Sequence, residues 1–155
     1  MKTGYIYDNY NILFTYIIIM PSATRKNRSR KTVSTNKKDI TIFFLELLST
    51  IKMYHWNTYD YAAHKATDEL HSKLSDNIDK FMEIYMGATN QRINIGGRTT
   101  LSLVDLSKDK MEKCIIGSIR YLEKLKLPAN NTDLYNIRDE MIGDLNQFLY
   151  LFTFK

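Results

Sequence analysis

Apolar residues recur every three or four positions in four separate stretches of the chain, which is the period of an α-helix with one buried face. The stretches run over about residues 39–56, 61–86, 107–126 and 132 to nearly the last residue. Residues 57–60 and 127–131 are short connections, whereas residues 88–106 are mixed in character and contain Gly96 and Gly97. The pattern predicts four helices with one long connection, between the second and the third.

Residues that favour helix ends stand near these boundaries. Asp39 and Ser107 are candidate N-caps, Gly87 is expected to end the second helix, and Pro128 follows the third. Two short connections and one long crossover are the connectivity of ferritin-like bundles. We therefore predict an all-α fold, with a ferritin-like four-helix bundle domain over residues 39–155.

Composition agrees with one helical domain. The chain has 155 residues, 44% apolar and 25% charged, which is enough to bury a core. Only six Gly and two Pro argue against a turn-rich β architecture. The single cysteine, Cys114, cannot form a disulfide within the chain, which excludes a disulfide-framed secreted domain and favours a reducing compartment such as the cytoplasm.

The positive charge is concentrated at the N-terminus. Residues 1–38 carry eight Lys or Arg against one acid, Asp8, whereas acids slightly outnumber bases in the rest. Residues 21–38 contain too few apolar side chains for a core, so we predict a disordered basic extension over residues 1–38. It is expected to bind nucleic-acid backbone without sequence preference; a solubilising tail or a nuclear localisation signal is the alternative. The candidate DNA-binding residues are Arg25, Lys26, Arg28, Arg30, Lys31, Lys37 and Lys38.

An apolar run over residues 10–20 is about half as long as the roughly 20 residues that span a bilayer, so no membrane association is expected. We interpret residues 1–19 as an upstream extension before a start at Met20. A signal peptide is the alternative, because Lys2 precedes the run and Pro21-Ser22-Ala23 follows it.

Ligand-type side chains follow one another along the second predicted helix, at steps of three or four. They are His64, Asp68, His71, Ser75, Asp79 and Glu83. One interpretation is an ordinary solvated face. All three histidines of the chain, His55 included, fall within 17 residues, which favours a metal site instead. A third interpretation makes His55 and His64 structural residues, bonded to backbone carbonyls.

Helix geometry restricts how these groups could share an ion. Asp79 and Glu83 are one turn apart and can place two carboxylates on one metal. His64 precedes Asp79 by roughly 22 Å of helix, whereas ligand atoms lie only about 2.0–2.2 Å from a metal. A site containing both therefore needs two antiparallel copies of this helix across a two-fold axis. Iron suits such a mixed His and carboxylate set, and zinc is the weaker alternative because thiolate ligands are absent.

Carboxylate-bridged di-iron bundles use two Glu-x-x-His motifs, and this chain has only Asp68-x-x-His71.

The chain resembles more specifically the Dps mini-ferritins, the DNA-binding proteins from starved cells. The likeness lies in His55-Trp56-Asn57 and in His64 followed by acids at plus four, plus fifteen and plus nineteen. Residues 138–152 resemble the closing helix of that family. The two histidines are nine residues apart here, where the family usually has twelve. The chain is also similar to uncharacterised ferritin-like proteins of large DNA viruses, and its many Asn, Ile, Lys and Tyr residues suit an AT-rich genome.

The resemblance implies a homo-oligomer, a hollow shell of twelve subunits with a ferroxidase site between two-fold-related chains. His55 and His64 of one chain and Asp79 and Glu83 of its partner would form the site, with Asp68 assisting a second metal position. Fe(II) oxidation by hydrogen peroxide, mineral storage, protection against oxidative stress and DNA binding by the tail would follow, near the nucleoid or in a virion or its host's cytoplasm. His71 lies outside the family pattern and is expected to be exposed. The alternative is a non-catalytic structural or DNA-packaging protein that has lost the redox centre.

Overall fold

Four helices supply the regular structure, as the apolar periodicity predicts. The computed structural model describes residues 37–97, 99–103 and 105–154. The helices are α1 (Lys37–Asn57), α2 (Tyr61–Thr89), α3 (Lys108–Lys124) and α4 (Thr132–Leu151). These described ranges contain no strand, which confirms the all-α four-helix bundle. Within the same ranges no helix is both long enough and apolar enough to cross a membrane.

The helices form a closed ring of neighbours. α1 packs on α2, α2 on α4, and α4 on α3. The aromatic rings of Phe43 in α1 and Tyr121 in α3 stack with 3.9 Å between centroids. This contact makes α1 and α3 neighbours and so closes the circle of four helices. Later residues of α2 meet earlier residues of α4, because Lys73 bonds Gln147 and Asn77 bonds Asp144. Neighbouring helices are therefore antiparallel, and α2 and α3 lie diagonally across the bundle.

The crossover, residues 90–107, returns along α1 to the end of the bundle where α2 begins. The Ser102 N–H donates to Glu46 Oε1 at 2.9 Å, and Asn57 Nδ2 donates to Asp105 Oδ1 at 3.4 Å. Gly96 and Gly97 both have positive φ, 67° and 100°, which only glycine adopts without strain. This path places the start of α3 beside the turn that joins α1 to α2.

Aromatic side chains from different helices meet in the core. Phe44 of α1 and Phe81 of α2 contact edge to face, with 5.5 Å between ring centroids. Tyr54 of α1 contacts Phe152, which follows α4, in the same way. Burying a side chain of this size contributes roughly 1.5–3 kcal/mol. The residues with almost no solvent exposure include Ile40, Leu47, Ile51, Leu74, Met111, Ile115, Leu122, Leu134 and Met141, all at helical spacing.

The N-terminal helix boundaries differ from the prediction. α1 begins at Lys37, so Lys37 and Lys38, which we assigned to the basic extension, lie in its first turn, and Asp39 is a first-turn residue instead of the N-cap. A carboxylate there still interacts favourably with the helix dipole. Ser107 does occupy the N-cap position of α3, where its carbonyl accepts the Met111 N–H, but its side chain makes no capping hydrogen bond.

The end of α2 also differs from the prediction. Gly87 does not end the helix, which continues to Thr89, and the left-handed position belongs to Asn90, with φ of 48°. The Asn90 N–H bonds the Gly87 carbonyl and the Gln91 N–H bonds the Met86 carbonyl. Asparagine tolerates this conformation better than other non-glycine residues, so the helix gains three residues beyond Met86.

Replacing Gly87 tests this boundary. A Cβ at Gly87 meets nothing within 4 Å, and the residue has helical neighbours on both sides. We expect Gly87→Ala to raise the free energy of unfolding in urea by about 0.5–1 kcal/mol, because alanine favours the helix interior. Asn90→Ala should lower it by about 1 kcal/mol, since its backbone is left-handed. A lower free energy of unfolding for Gly87→Ala together with a higher one for Asn90→Ala would instead show that Gly87 caps α2.

Candidate metal centre

A short, firmly held turn brings the end of α1 against the start of α2. Asp60 caps α2, with its Oδ1 accepting the N–H groups of Ala62 at 2.9 Å and Ala63 at 3.2 Å. The Lys108 ammonium lies 3.2 Å from Asp60 Oδ2. The hydrogen bond from the Ala63 N–H, followed by that from Lys108, lowers the pKa of Asp60 below its usual value. The charged cap therefore fixes the start of α2 and connects it to the start of α3.

This turn places the histidine pair, His55 and His64, face to face. Their rings stack with 3.9 Å between centroids and an angle of 23° between planes. His55 Nδ1 lies 3.0 Å from the His64 carbonyl oxygen, and His64 Nδ1 lies 3.0 Å from the His55 carbonyl oxygen. The Thr67 hydroxyl donates to the carbonyls of Ala63 and His64. Each imidazole thus bonds the backbone of the other histidine.

These bonds fix which nitrogen of each neutral ring carries hydrogen. A carbonyl oxygen only accepts, so Nδ1 of His55 and of His64 must donate. In the neutral form of each ring, Nε2 then carries the lone pair. It is the atom that a metal ion can bind. Metal-binding histidines commonly donate their other ring N–H to a backbone carbonyl in this way. The interpretation as structural residues bonded to carbonyls predicts the same hydrogen bonds, so these bonds are compatible with both.

Asp68 lies next to the histidine pair. Its Oδ1 is 3.8 Å from His55 Nε2 and 3.6 Å from the Lys52 ammonium. The Asp68 side chain is about half exposed, whereas His55 is buried. The structure therefore brings His55, His64 and Asp68 together, and we call these three residues the histidine half-site. Lys52 was missed by the sequence reasoning, although it precedes His55 by three residues and so shares its helix face.

His71, one turn after Asp68, is half-buried, and the expectation that it is exposed was wrong. Desolvation is the main reason that its pKa lies below the usual value; the nearby Lys52 and His55 lower it further, and Asp68 acts in the opposite direction. Lys52 and His55 of α1 are near enough to act on its charge. A neutral imidazole is therefore favoured at His71.

The other two predicted ligands lie elsewhere on α2. Asp79 and Glu83 are exposed, and one chain does not bring them to the histidine pair. Across residues 37–97, 99–103 and 105–154, no three His, Cys, Asp or Glu side chains are placed to hold an ion together. Cys114 offers no thiolate, because burial raises its pKa to about 11. A complete site would therefore need groups beyond those that the described residues bring together.

A separate polar cluster joins α2 to α4. The Lys73 ammonium lies 2.8 Å from Glu69 Oε1 and 3.0 Å from Gln147 Oε1, and Asn77 donates to Asp144 at 3.2 Å. Burial raises the pKa of Asp144, which the nearby Lys73 opposes. Asp144 and Gln147 of α4 therefore bond across to α2, whereas Glu69 pairs with Lys73 on its own helix.

Only two of the basic residues predicted to bind DNA are among the described residues. Lys37 and Lys38 lie in the first turn of α1. The others, Arg25, Lys26, Arg28, Arg30 and Lys31, lie outside the described residues.

Comparison with known proteins places the chain in a family. The model of a family of unknown function, DUF5856, matches residues 55–152, more than half of the chain, so the chain belongs to that family. The matched range begins at His55 and contains Asp68, Asp79 and Glu83, but not the basic extension. The chain is also 32% identical, over 121 residues, to the "Uncharacterized 14.6 kDa protein in mobD-ri intergenic region" of Enterobacteria phage T4, covering 72% of this chain and 87% of that protein. No solved structure matches the chain.

The tautomer of the histidine pair can be measured directly. In two-bond ¹⁵N–¹H spectra of the metal-free protein at mildly alkaline pH, we expect His55 and His64 to carry hydrogen on Nδ1 and none on Nε2. Thr67→Val is the matched control, because it removes a nearby hydroxyl and leaves both carbonyl acceptors. Hydrogen on Nε2 of either ring would contradict the reciprocal hydrogen bonds.

Proposed function

We propose that this member of DUF5856 is a Dps-like iron-binding protein that oxidises Fe(II). The histidine half-site would be completed by Asp79 and Glu83 of a second copy of the chain. The observation that carries the proposal is the reciprocal bonding of each Nδ1 to the other histidine's carbonyl, which leaves both Nε2 atoms outside these bonds, with Asp68 Oδ1 3.8 Å from Nε2 of His55. Iron enters as the substrate of the reaction.

The donor atoms fit Fe(II) chemically. Imidazole nitrogen and carboxylate oxygen together suit first-row divalent metals of intermediate hardness. Two Fe(II) ions can each give one electron to hydrogen peroxide, which takes up two protons and yields two water molecules and two Fe(III). Zinc could bind the same atoms but has no redox chemistry, so it would act as an inhibitor.

A two-fold arrangement follows from the length of α2. Two antiparallel copies of α2 would bring the histidine half-site of each chain to the carboxylates of the other, and two equivalent sites would form. Between the two half-sites α2 exposes Ser72 and Asp76, so its own chain does not cover this surface. Assembly of such dimers into a twelve-subunit shell that stores ferric mineral is the further step that the Dps resemblance implies.

The basic extension supplies a separable activity in this proposal. Its cations can replace counterions along nucleic-acid backbone, which requires no folded structure. A shell tethered to DNA would remove Fe(II) and peroxide near the nucleic acid that they damage. The phage relative is compatible with this activity in a virion or in the cytoplasm of an infected host.

A non-catalytic role is the second candidate, and one observation favours it. The reciprocal hydrogen bonds hold the turn between α1 and α2 without any ion. A structural or DNA-packaging protein could keep the histidine pair for this purpose alone. The two functions differ in what happens when Fe(II) is added.

Anaerobic Fe(II) titration followed by peroxide tests the ferroxidase. We expect saturable binding and rapid oxidation in the full chain. Both His64→Ala and Asp79→Ala should slow oxidation at least about 100-fold, the upper end of what loss of an outer-shell partner costs. Glu112→Ala, which removes an exposed acid on α3 away from α2, is the matched control. Binding that does not saturate, or oxidation as slow as in buffer, would establish the non-catalytic alternative.

Co-expressing His64→Ala with Asp79→Ala tests whether the site is shared between chains. A heterodimer of these variants has one intact site and one doubly defective site, so random pairing should restore about a quarter of the wild-type activity. Activity no greater than that of either variant alone would show that His64 and Asp79 of different chains do not share a site.

Removing residues 1–36 tests the extension without shortening α1. We expect this deletion to abolish a DNA gel shift at low salt and to leave Fe(II) oxidation intact. Replacing only the five basic residues between 25 and 31 by Gln should make the plot of log binding constant against log salt concentration shallower. The slope should fall by about 4–5, because each phosphate contact contributes about 0.9. An unchanged gel shift would show that the DNA contact lies on the bundle.

A further inference from the structure

The exposed aromatic side chains of the described residues all lie at one end of the bundle. Trp56 is 66% exposed near the end of α1, Tyr59 is fully exposed in the turn, and Tyr61 is 77% exposed at the start of α2. Tyr150, near the end of α4, and Phe154, which follows that helix, are 65% and 47% exposed. Because neighbouring helices are antiparallel, α1 and α4 both end where α2 begins. We call these five residues the aromatic end.

Contacts beneath the rings join the end of α4 to the turn between α1 and α2. Phe152, which separates the two exposed rings at the end of α4, is buried against Tyr54 of α1. The Lys108 ammonium lies 5.0 Å from the centre of the Phe152 ring and 3.2 Å from Oδ2 of Asp60, in the middle of the turn. The two exposed rings of α4 contact each other edge to face, with 5.1 Å between centroids. The turn and the end of α4 therefore belong to one surface.

We propose that the aromatic end is an interface at which a second copy of this chain docks through the same surface. Such a two-fold contact is isologous, so the rings of one copy meet the aromatic end of the other. Aromatic pairs favour the offset-stacked or edge-to-face contacts that such a meeting allows. Asp79 lies roughly 27 Å from Tyr61 along α2, so this surface is distinct from the contact of the proposed function, and the inference does not rest on it.

The area of the aromatic end is sufficient for a stable interface. A large aromatic side chain has roughly 150–250 Å² to bury, so the exposed fractions of these five offer roughly 500–900 Å² in total. A standard protein–protein interface buries about 800 Å² of each partner. Contiguous apolar patches on monomeric proteins seldom exceed about 300–600 Å². A surface of this size and composition is typical of one that a partner covers.

The charges around the rings favour a second copy over nucleic acid. The cations Lys108 and Lys52 form ion pairs with Asp60 and Asp68. Exposed charged residues nearby include one further cation and two further acids, Lys65, Asp105 and Asp109. Nucleic-acid backbone requires an excess of cations, which these residues do not supply. A surface that carries both signs does not repel a copy of itself, and each ion pair can exchange partners across the two-fold axis.

Trp56 makes the proposal measurable, because it is the only tryptophan of the chain. The full-length protein is diluted from about 100 μM to about 10 nM, which spans micromolar affinity. We expect the sedimentation mass to fall and acrylamide quenching of Trp56 to rise together. Tyr59→Ser combined with Tyr61→Ser should weaken this association at least about thirtyfold, as loss of buried aromatic anchors does, and move the rise in quenching to equally higher concentration.

Matched variants separate aromatic contact from other effects. Tyr59→Phe combined with Tyr61→Phe keeps both rings and should associate as the wild type does. Ile95→Ser, which removes an exposed apolar side chain from the crossover, should also leave association unchanged. Because Tyr59 is fully exposed, Tyr59→Ser alone should weaken association while the helix content in circular dichroism stays the same.

Three results would overturn the proposal. The first is a mass and a quenching of Trp56 that are the same in the wild type and in the double Ser variant. The second is shielding of Trp56 that dilution does not change and that deletion of residues 1–36 removes, which would make the chain's own N-terminal segment the occupant. The third is shielding that appears only when single-stranded DNA or anionic phospholipid vesicles are added.

Discussion

The pair of hydrogen bonds that His55 and His64 exchange with each other's carbonyl groups sets the geometry of everything at this end of the bundle. Those bonds stack the rings and direct Nδ1 inward. They also hold the end of α1 at a fixed distance from the start of α2. Asp60 and Lys108 then join this turn to the start of α3, so one local pairing orients three helices.

The stacked imidazole pair, in which His55 is buried and His64 half-buried, is stable only while its polar atoms have partners. An unsatisfied buried donor costs roughly 1–3 kcal/mol, and the reciprocal bonds avoid that cost at both Nδ1 atoms. The same solution leaves Nε2 of both rings outside these bonds, and Nε2 of His55 lies 3.8 Å from the partly exposed Asp68 carboxylate. Structural stability and metal-binding capacity are therefore compatible in one arrangement.

The sequence predicts the helices and the core well, because period and burial depend on local pattern. Phe44 and Phe81 lie in the core as their spacing predicts. The end of α2 could not be predicted this way, since Gly87 and Asn90 are both acceptable caps and only the backbone path decides between them. The exposure of His71 was predicted wrongly for another reason: its burial depends on how the helices pack, and no pattern within α2 contains that information. Stacking of His55 on His64 likewise depends on the turn geometry that Asp60 fixes.

The histidine pair joins residues only nine positions apart, which has a consequence for the order of events during synthesis. Contacts of such short range form early in folding, because little loop entropy opposes them. The imidazoles can therefore be in place while α3 and α4 are still on the ribosome. Under the proposed function, the nascent chain would carry ligands without a complete site, and redox chemistry would begin only when two finished chains meet.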